Sequence, residues 1–174
     1  MNIMKKILLL PIALLSVCCC SQKPANISKA ETASAHCPTN GDCTIELLQN
    51  KSLNIKRDDL GGTYYQLLDN PGTTVIHFQY TKHKDPTLAD GGYKEEVLFE
   101  IDSKIAEIKL EGSDLEKAKA LYGRFCFCRG QTGYHRIYDG NLSVVRKHSS
   151  YDIKMDYKIT EVPQLVKHFE FTVK

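Results

Sequence analysis

From Cys43 onward the chain alternates apolar and polar positions with a period of two. Ile153, Met155, Tyr157 and Ile159 fall on one side, while Asp152, Lys154, Asp156 and Lys158 fall on the other. Side chains of an extended chain point alternately to opposite faces, so this pattern predicts a half-buried strand. Phe169, Phe171 and Val173 repeat the pattern at the C-terminus, and Ile76, Phe78 and Tyr80 repeat it earlier. Val97, Phe99 and Ile101 form another stripe, followed by Ala106, Ile108 and Leu110. Ile45 and Leu47, with Leu53 and Ile55, read as an opening hairpin across Gln49-Asn50-Lys51. Turn signals separate the runs at Gly61-Gly62, Asn70-Pro71-Gly72, Asp90-Gly91-Gly92, Gly130 to Gly133 and Asp139-Gly140-Asn141.

One helix is expected among the strands. Ser113 and Glu116 have the spacing of a capping box, Leu115, Ala118 and Tyr122 share a helical face, and Gly123 is placed to end it. The expected fold is therefore mainly β, an antiparallel β-sandwich or β-barrel with one short α-helix at about residues 113–122. A further helical turn near Pro163 would bring Leu165 and Val166 inward. A single domain over residues 36–174 is expected, with no repeat period.

The first segment has a different grammar. Lys5 and Lys6 precede an apolar run from Ile7 to Val17, and small residues follow. Eleven helical residues rise about 16 Å, too little for a hydrocarbon core of about 30 Å, so the run reads as an export signal rather than a transmembrane anchor. Leu15-Ser16-Val17-Cys18 resembles the lipobox of bacterial lipoproteins, departing from the usual pattern at Val17, where Gly, Ala or Ser precedes the cysteine. The resemblance covers only the first twenty or so residues. It implies a signal peptide over residues 1–17 and lipidation at Cys18, with Cys19 and Cys20 as alternatives. It also implies a bacterial envelope protein held to a membrane by its N-terminal lipid, with the outer membrane facing the periplasm as the expected location. Residues 18–35 are expected to be a flexible tether, since Ser21 to Ala35 holds Ser, Ala, Lys, Asn, Thr, Glu, Gln and Pro24, with Ile27 the only large apolar residue to bury.

Charge removes one class of partner. The chain has 23 Lys and Arg against 21 Asp and Glu, and without Lys5 and Lys6 the balance is zero. A strongly basic nucleic-acid binder is excluded on that footing. The hydrophobic share of 42% and charged share of 25% are those of an ordinary globular domain.

Four cysteines remain in the domain: Cys37, Cys43, Cys126 and Cys128. An even number in an exported chain reads as two disulfides. A Cys126–Cys128 bond is the least attractive, since residues two apart on an extended strand stand about 6.6 Å apart, at the upper limit of disulfide geometry. Cys37–Cys43 could close the loop over Asn40-Gly41, but crossed pairing is favoured. It would join each early cysteine to a late one and close loops of roughly 85–90 residues worth on the order of 4 kcal/mol each. The same cysteines with His36 are also soft metal ligands, but C-x5-C and C-x-C are not the common zinc spacings, so no metal or cofactor is assigned.

Leu121 to His148 is the most distinctive stretch, with Arg124, Arg129, Arg136, Arg146 and Lys147 against the single acid Asp139. By strand parity Phe125 and Phe127 share one face and Arg124, Cys126 and Cys128 the other. With the phenylalanines inward, Arg124, Arg129, Gln131 and Tyr134 become the candidate ligand-binding residues on a loop anchored by a disulfide. An intramolecular use competes, because Asp85 to Glu116 holds ten acids and three lysines and could face the basic stretch. No nucleophile elbow or zinc-protease motif is present, and no catalytic residue is assigned. The expected role is non-catalytic binding or scaffolding toward an envelope protein or small ligand. The alternatives are a barrel carrier of an apolar or amphiphilic molecule and a periplasmic hydrolase or thiol enzyme.

Overall fold

The computed structural model describes residues 27–30, 36–87 and 91–174. The signal segment and Cys18 to Cys20 lie outside the described residues. The domain is mainly β, as the alternation requires. Its strands are β1 (Ile27–Ala30), β2 (Gly41–Arg57), β3 (Thr63–Lys82), β4 (Tyr93–Asp102), β5 (Glu107–Glu111), β6 (Leu121–Cys126), β7 (Gly133–Arg136), β8 (Asp139–Lys147), β9 (Ser150–Lys158) and β10 (His168–Val173). They form a six-stranded sheet in the order β1-β2-β3-β4-β6-β7 and a four-stranded sheet in the order β10-β9-β8-β5. Every pairing is antiparallel.

The two sheets pack face to face over the stripes expected to be apolar. Ile76, Phe78 and Tyr80 of β3 and Val97, Phe99 and Ile101 of β4 meet Ile153, Met155 and Tyr157 of β9 and Phe169, Phe171 and Val173 of β10, all buried. At their centre Phe78 and Phe169 stack with ring centroids 4.2 Å apart. Each such side chain withdrawn from water contributes about 1.5–3 kcal/mol before entropy is counted.

The six-stranded sheet also closes on itself. Thr63, at the start of β3, pairs with Tyr134 of β7, so β3, β4, β6 and β7 form a ring. Inside it Leu53, Val75 and Leu98 are buried against one another, with Leu48, Ile55, Tyr65 and Tyr134 around them. Sandwich and barrel are thus both present, sharing β3 and β4. These two strands are buried on both faces, which explains the consecutive buried pairs Val75-Ile76 and Val97-Leu98.

Several local expectations are corrected. The opening hairpin is one continuous strand, β2, whose register against β3 shifts between Gln49 and Lys51. Asn50 adopts a φ of 57° there, a bulge rather than a turn. Asn50 stands against four residues of β3, 70–73, that have no partner on β2, and across this irregularity the parity reverses, so Ile45 and Leu47 enter the sandwich while Leu53 enters the ring. Asn70-Pro71-Gly72 lies opposite this bulge within β3 and does not end a strand. The α-helix at 113–122 is instead a 3-10 helix over Gly112–Ala118. Its N-cap is Glu111 without a side-chain hydrogen bond, so the Ser113–Glu116 capping box does not form. Leu115 and Ala118 are buried as expected, but Tyr122 belongs to β6 because Lys119, at φ 51°, ends the helix a turn early. No helix forms near Pro163, and Leu165 is half exposed while Val166 is buried. Within the expected tether, Ile27–Ala30 adds an edge strand along Ile45 to Leu48 of β2.

Candidate functional site

The disulfides are local, which overturns the crossed pairing. Cys37 bonds Cys43 with Cα atoms 5.9 Å apart, and Cys126 bonds Cys128 with Cα atoms 5.2 Å apart. An extended chain through Cys126 and Cys128 would hold their Cα atoms about 6.6 Å apart. In fact β6 stops at Cys126 and the chain bends at Phe127, bringing the two Cα atoms closer than strand geometry allows. All four sulfurs are consumed, so they offer no thiolate to a metal.

Strand parity across β6 holds, but the faces are the reverse of those expected. Tyr122 and Arg124 point into the sandwich side and are buried, whereas Phe125 lies half-buried on the ring side and Phe127 is 86% exposed. The deciding residue is Tyr122, which fills the core in place of the phenylalanines. Arg124 is therefore no outward ligand contact. Its Nη1 donates to Gln131 Oε1 at 2.6 Å, its Nε donates to the Tyr93 hydroxyl at 3.3 Å, and its guanidinium lies over the Tyr93 ring. Gln131 is thus occupied in holding the 127–132 loop to β6. Tyr134 points the opposite way, into the ring, and Arg129 stays exposed on the loop. The four candidates do not converge on one site.

The acidic and basic segments do meet, because β4 pairs with β6 and sets Glu95 opposite Arg124. Adjacent carboxylates on β4 then enter different compartments. Glu95, fully buried on the sandwich side, accepts the backbone N–H of Leu165 at 2.6 Å and of Val166 at 2.9 Å, and also the Tyr93 hydroxyl. It clamps the β9–β10 loop against the sheet. Burial and the bond to Glu95 push the Tyr93 phenol up to about 12. On the ring side, Glu96 pairs with the Lys94 ammonium, accepts the Tyr134 hydroxyl at 2.9 Å and faces His77 Nε2 at 3.7 Å. Burial pushes the Glu96 carboxyl up, but His77, Lys94 and Tyr134 together outweigh it and hold the group at about 2. Burial, reinforced by the Glu96 charge, raises the Tyr134 phenol, so the hydroxyl stays a donor. Further along the ring Glu100 accepts Ser52 Oγ at 2.9 Å and the Leu53 N–H at 2.7 Å, and pairs with Lys119 at 2.7 Å. These carboxylates are fully engaged by neighbours, an arrangement suited to holding strands in place.

An open cleft lies at the mouth of the ring. It measures about 440 Å³ and runs between the β2–β3 turn and β7, where Arg57, Thr63, Thr132, His135, Arg136 and Tyr138 are among its lining residues. A second hollow of about 270 Å³ shares Arg57, Thr63, Arg136 and Tyr138 and adds Lys56. The acids at its rim are committed elsewhere. Asp58 Oδ1 accepts the N–H groups of Leu60 and Gly62, and Glu161 accepts the N–H and hydroxyl of Thr160. Among the described residues neither Arg57 nor Arg136 has a carboxylate partner. Of the ligand candidates drawn from sequence, only Tyr134 lines this cleft. Arg57 and Arg136 were hidden because they lie 79 positions apart and meet only through ring closure.

No family model matches this chain, and no curated protein or solved structure matches it either.

Proposed function

We propose that this chain is a lipid-anchored envelope protein whose β domain binds, without catalysis, a small anionic ligand in the cleft of Arg57 and Arg136. The observation that carries the reading is the pair of guanidiniums without carboxylate partners among the described residues, in a polar hollow of about 440 Å³ beside Tyr138 and His135. Guanidinium is suited to planar or tetrahedral oxyanions because it donates in a fixed fork. The carboxylates of Glu95, Glu96 and Glu100 are tied to backbone amides, ammonium groups and phenols, which speaks for binding rather than hydrolysis. A carrier of apolar cargo would need a hollow interior, and the ring is filled by Leu53, Val75 and Leu98.

Inorganic phosphate serves as the probe. Titrated into the protein and followed by amide NMR, it is expected to give saturable shifts confined to Gly61, Gly62, Gly133 and Arg136, weakened by added salt. The Arg57→Gln/Arg136→Gln variant should lose them. Shifts scattered over the surface, or unchanged in the double variant, would refute the assignment. The anchor is tested separately: a chain expressed with its leader should partition into detergent, and replacing Cys18 to Cys20 by Ser should abolish this.

A further inference from the structure

We propose that His36, His168 and Glu170 form a binding site for a divalent ion of the zinc class. One ligating atom from each of the three side chains lies within 4.8 Å of the others. A tetrahedral zinc with bonds of about 2.0–2.2 Å needs ligand atoms about 3.3 Å apart, so modest side-chain rotations complete the set. Two imidazoles and a carboxylate leave one coordination position for water or an outside group.

The scaffold already holds these groups. His168 and Glu170 are two residues apart on β10, and alternation along a strand puts both on the same face. The His36 and His168 rings stand perpendicular with centroids 4.4 Å apart. His36 is fixed from the other side, since the next residue, Cys37, is bonded to Cys43 on β2. Asp156, the cross-strand partner of His168 on β9, lies 2.7 Å from its Nδ1. That bond orients the ring and leaves Nε2 as the metal-binding nitrogen, the arrangement in which an outer carboxylate raises the basicity of a ligating histidine. Lys154 Nζ, 3.3 Å from Glu170, is one competitor an ion must displace. An exposed pair of this kind contributes little, so its loss is a small obstacle.

A metal here would tie the start of the domain to its last strand. The site is separate from the cleft at the ring mouth, with which it shares no residue. The test is zinc titration by calorimetry on the full chain, its free thiols first blocked with iodoacetamide without reducing agent. One equivalent of zinc should bind. At a hundredfold excess over Kd the melting temperature should rise by about 5–10 °C, while magnesium leaves it unchanged. His168→Ala and Glu170→Gln should each abolish the binding while the circular dichroism spectrum stays that of the parent. Asp156→Asn, which touches only the outer partner, should weaken binding by about 10–100-fold. No saturable zinc binding, or binding undiminished in His168→Ala or Glu170→Gln, overturns the site.

Discussion

Replacing Glu96 by Gln removes one negative charge from the ring and preserves the volume. The Glu96 side chain is 5% exposed, and its carboxyl is held at about 2 against an ordinary 4.5. At 1.36 kcal/mol per pH unit, this difference amounts to about 3 kcal/mol of folding stability at neutral pH. Because the folded value is depressed, the contribution is complete above the unfolded value of 4.5 and is lost as pH falls toward 2. Glu96→Gln should accordingly be less stable than the parent by about 3 kcal/mol at pH 7, since the amide oxygen cannot match a carboxylate shared by Lys94 and Tyr134. The gap should narrow steadily below about pH 5, as protonation of the parent removes the same charge. Urea unfolding from pH 7 to pH 2.5, followed by tyrosine fluorescence, measures both curves. A difference that stays constant with pH, or a parent whose stability does not fall faster than the variant's, would refute the electrostatic account and leave a steric one.

Two further outcomes follow from the geometry. Cys126→Ser/Cys128→Ser should cost only about 1–2 kcal/mol by denaturant unfolding, because so short a closed loop restricts the unfolded chain little; a loss near 4 kcal/mol would favour the long-loop pairing instead. Gly140→Ala should destabilise by about 3 kcal/mol or more in a thermal melt, since Gly140 has a φ of 149° and a Cβ there would meet the Asp156 carbonyl oxygen at 2.2 Å; a neutral result would mean β8 and β9 do not approach as described.

What could be read from sequence was whatever depends on neighbours one or two positions away. Ile153, Met155 and Tyr157 announced their strand and its buried face because only a period of two was required. Cross-chain facts were illegible for definite reasons. Asn50 looked like a turn because a left-handed residue serves a bulge as readily as a hairpin, and only the register against β3 separates the two. Arg124 looked outward because Phe125 and Phe127 are the more apolar pair. Tyr122 and the buried Glu95 reverse that preference by offering the guanidinium side a polar, aromatic interior. The helix failed at Lys119, whose backbone turns left-handed so that Ala120 and Leu121 can enter the sheet region. His168-x-Glu170 is visible in the sequence as a same-face pair, but His36 reaches it only through the Cys37–Cys43 bond.

The neighbouring acids of β4 make that strand intolerant of misalignment. Glu95 has its complement in the Leu165 and Val166 amides on one side, and Glu96 has Tyr134 of β7 and His77 of β3 on the other. Sliding β4 by a single residue would turn each carboxylate toward the opposite compartment, parting Glu95 from the Leu165 and Val166 amides and Glu96 from the Tyr134 hydroxyl. A buried carboxylate parted from its partners costs several kcal/mol, which disfavours the mispaired sheet. Two consecutive glutamates near the start of β4 thereby act as a proofreading mark for the pairing of that strand with its neighbours.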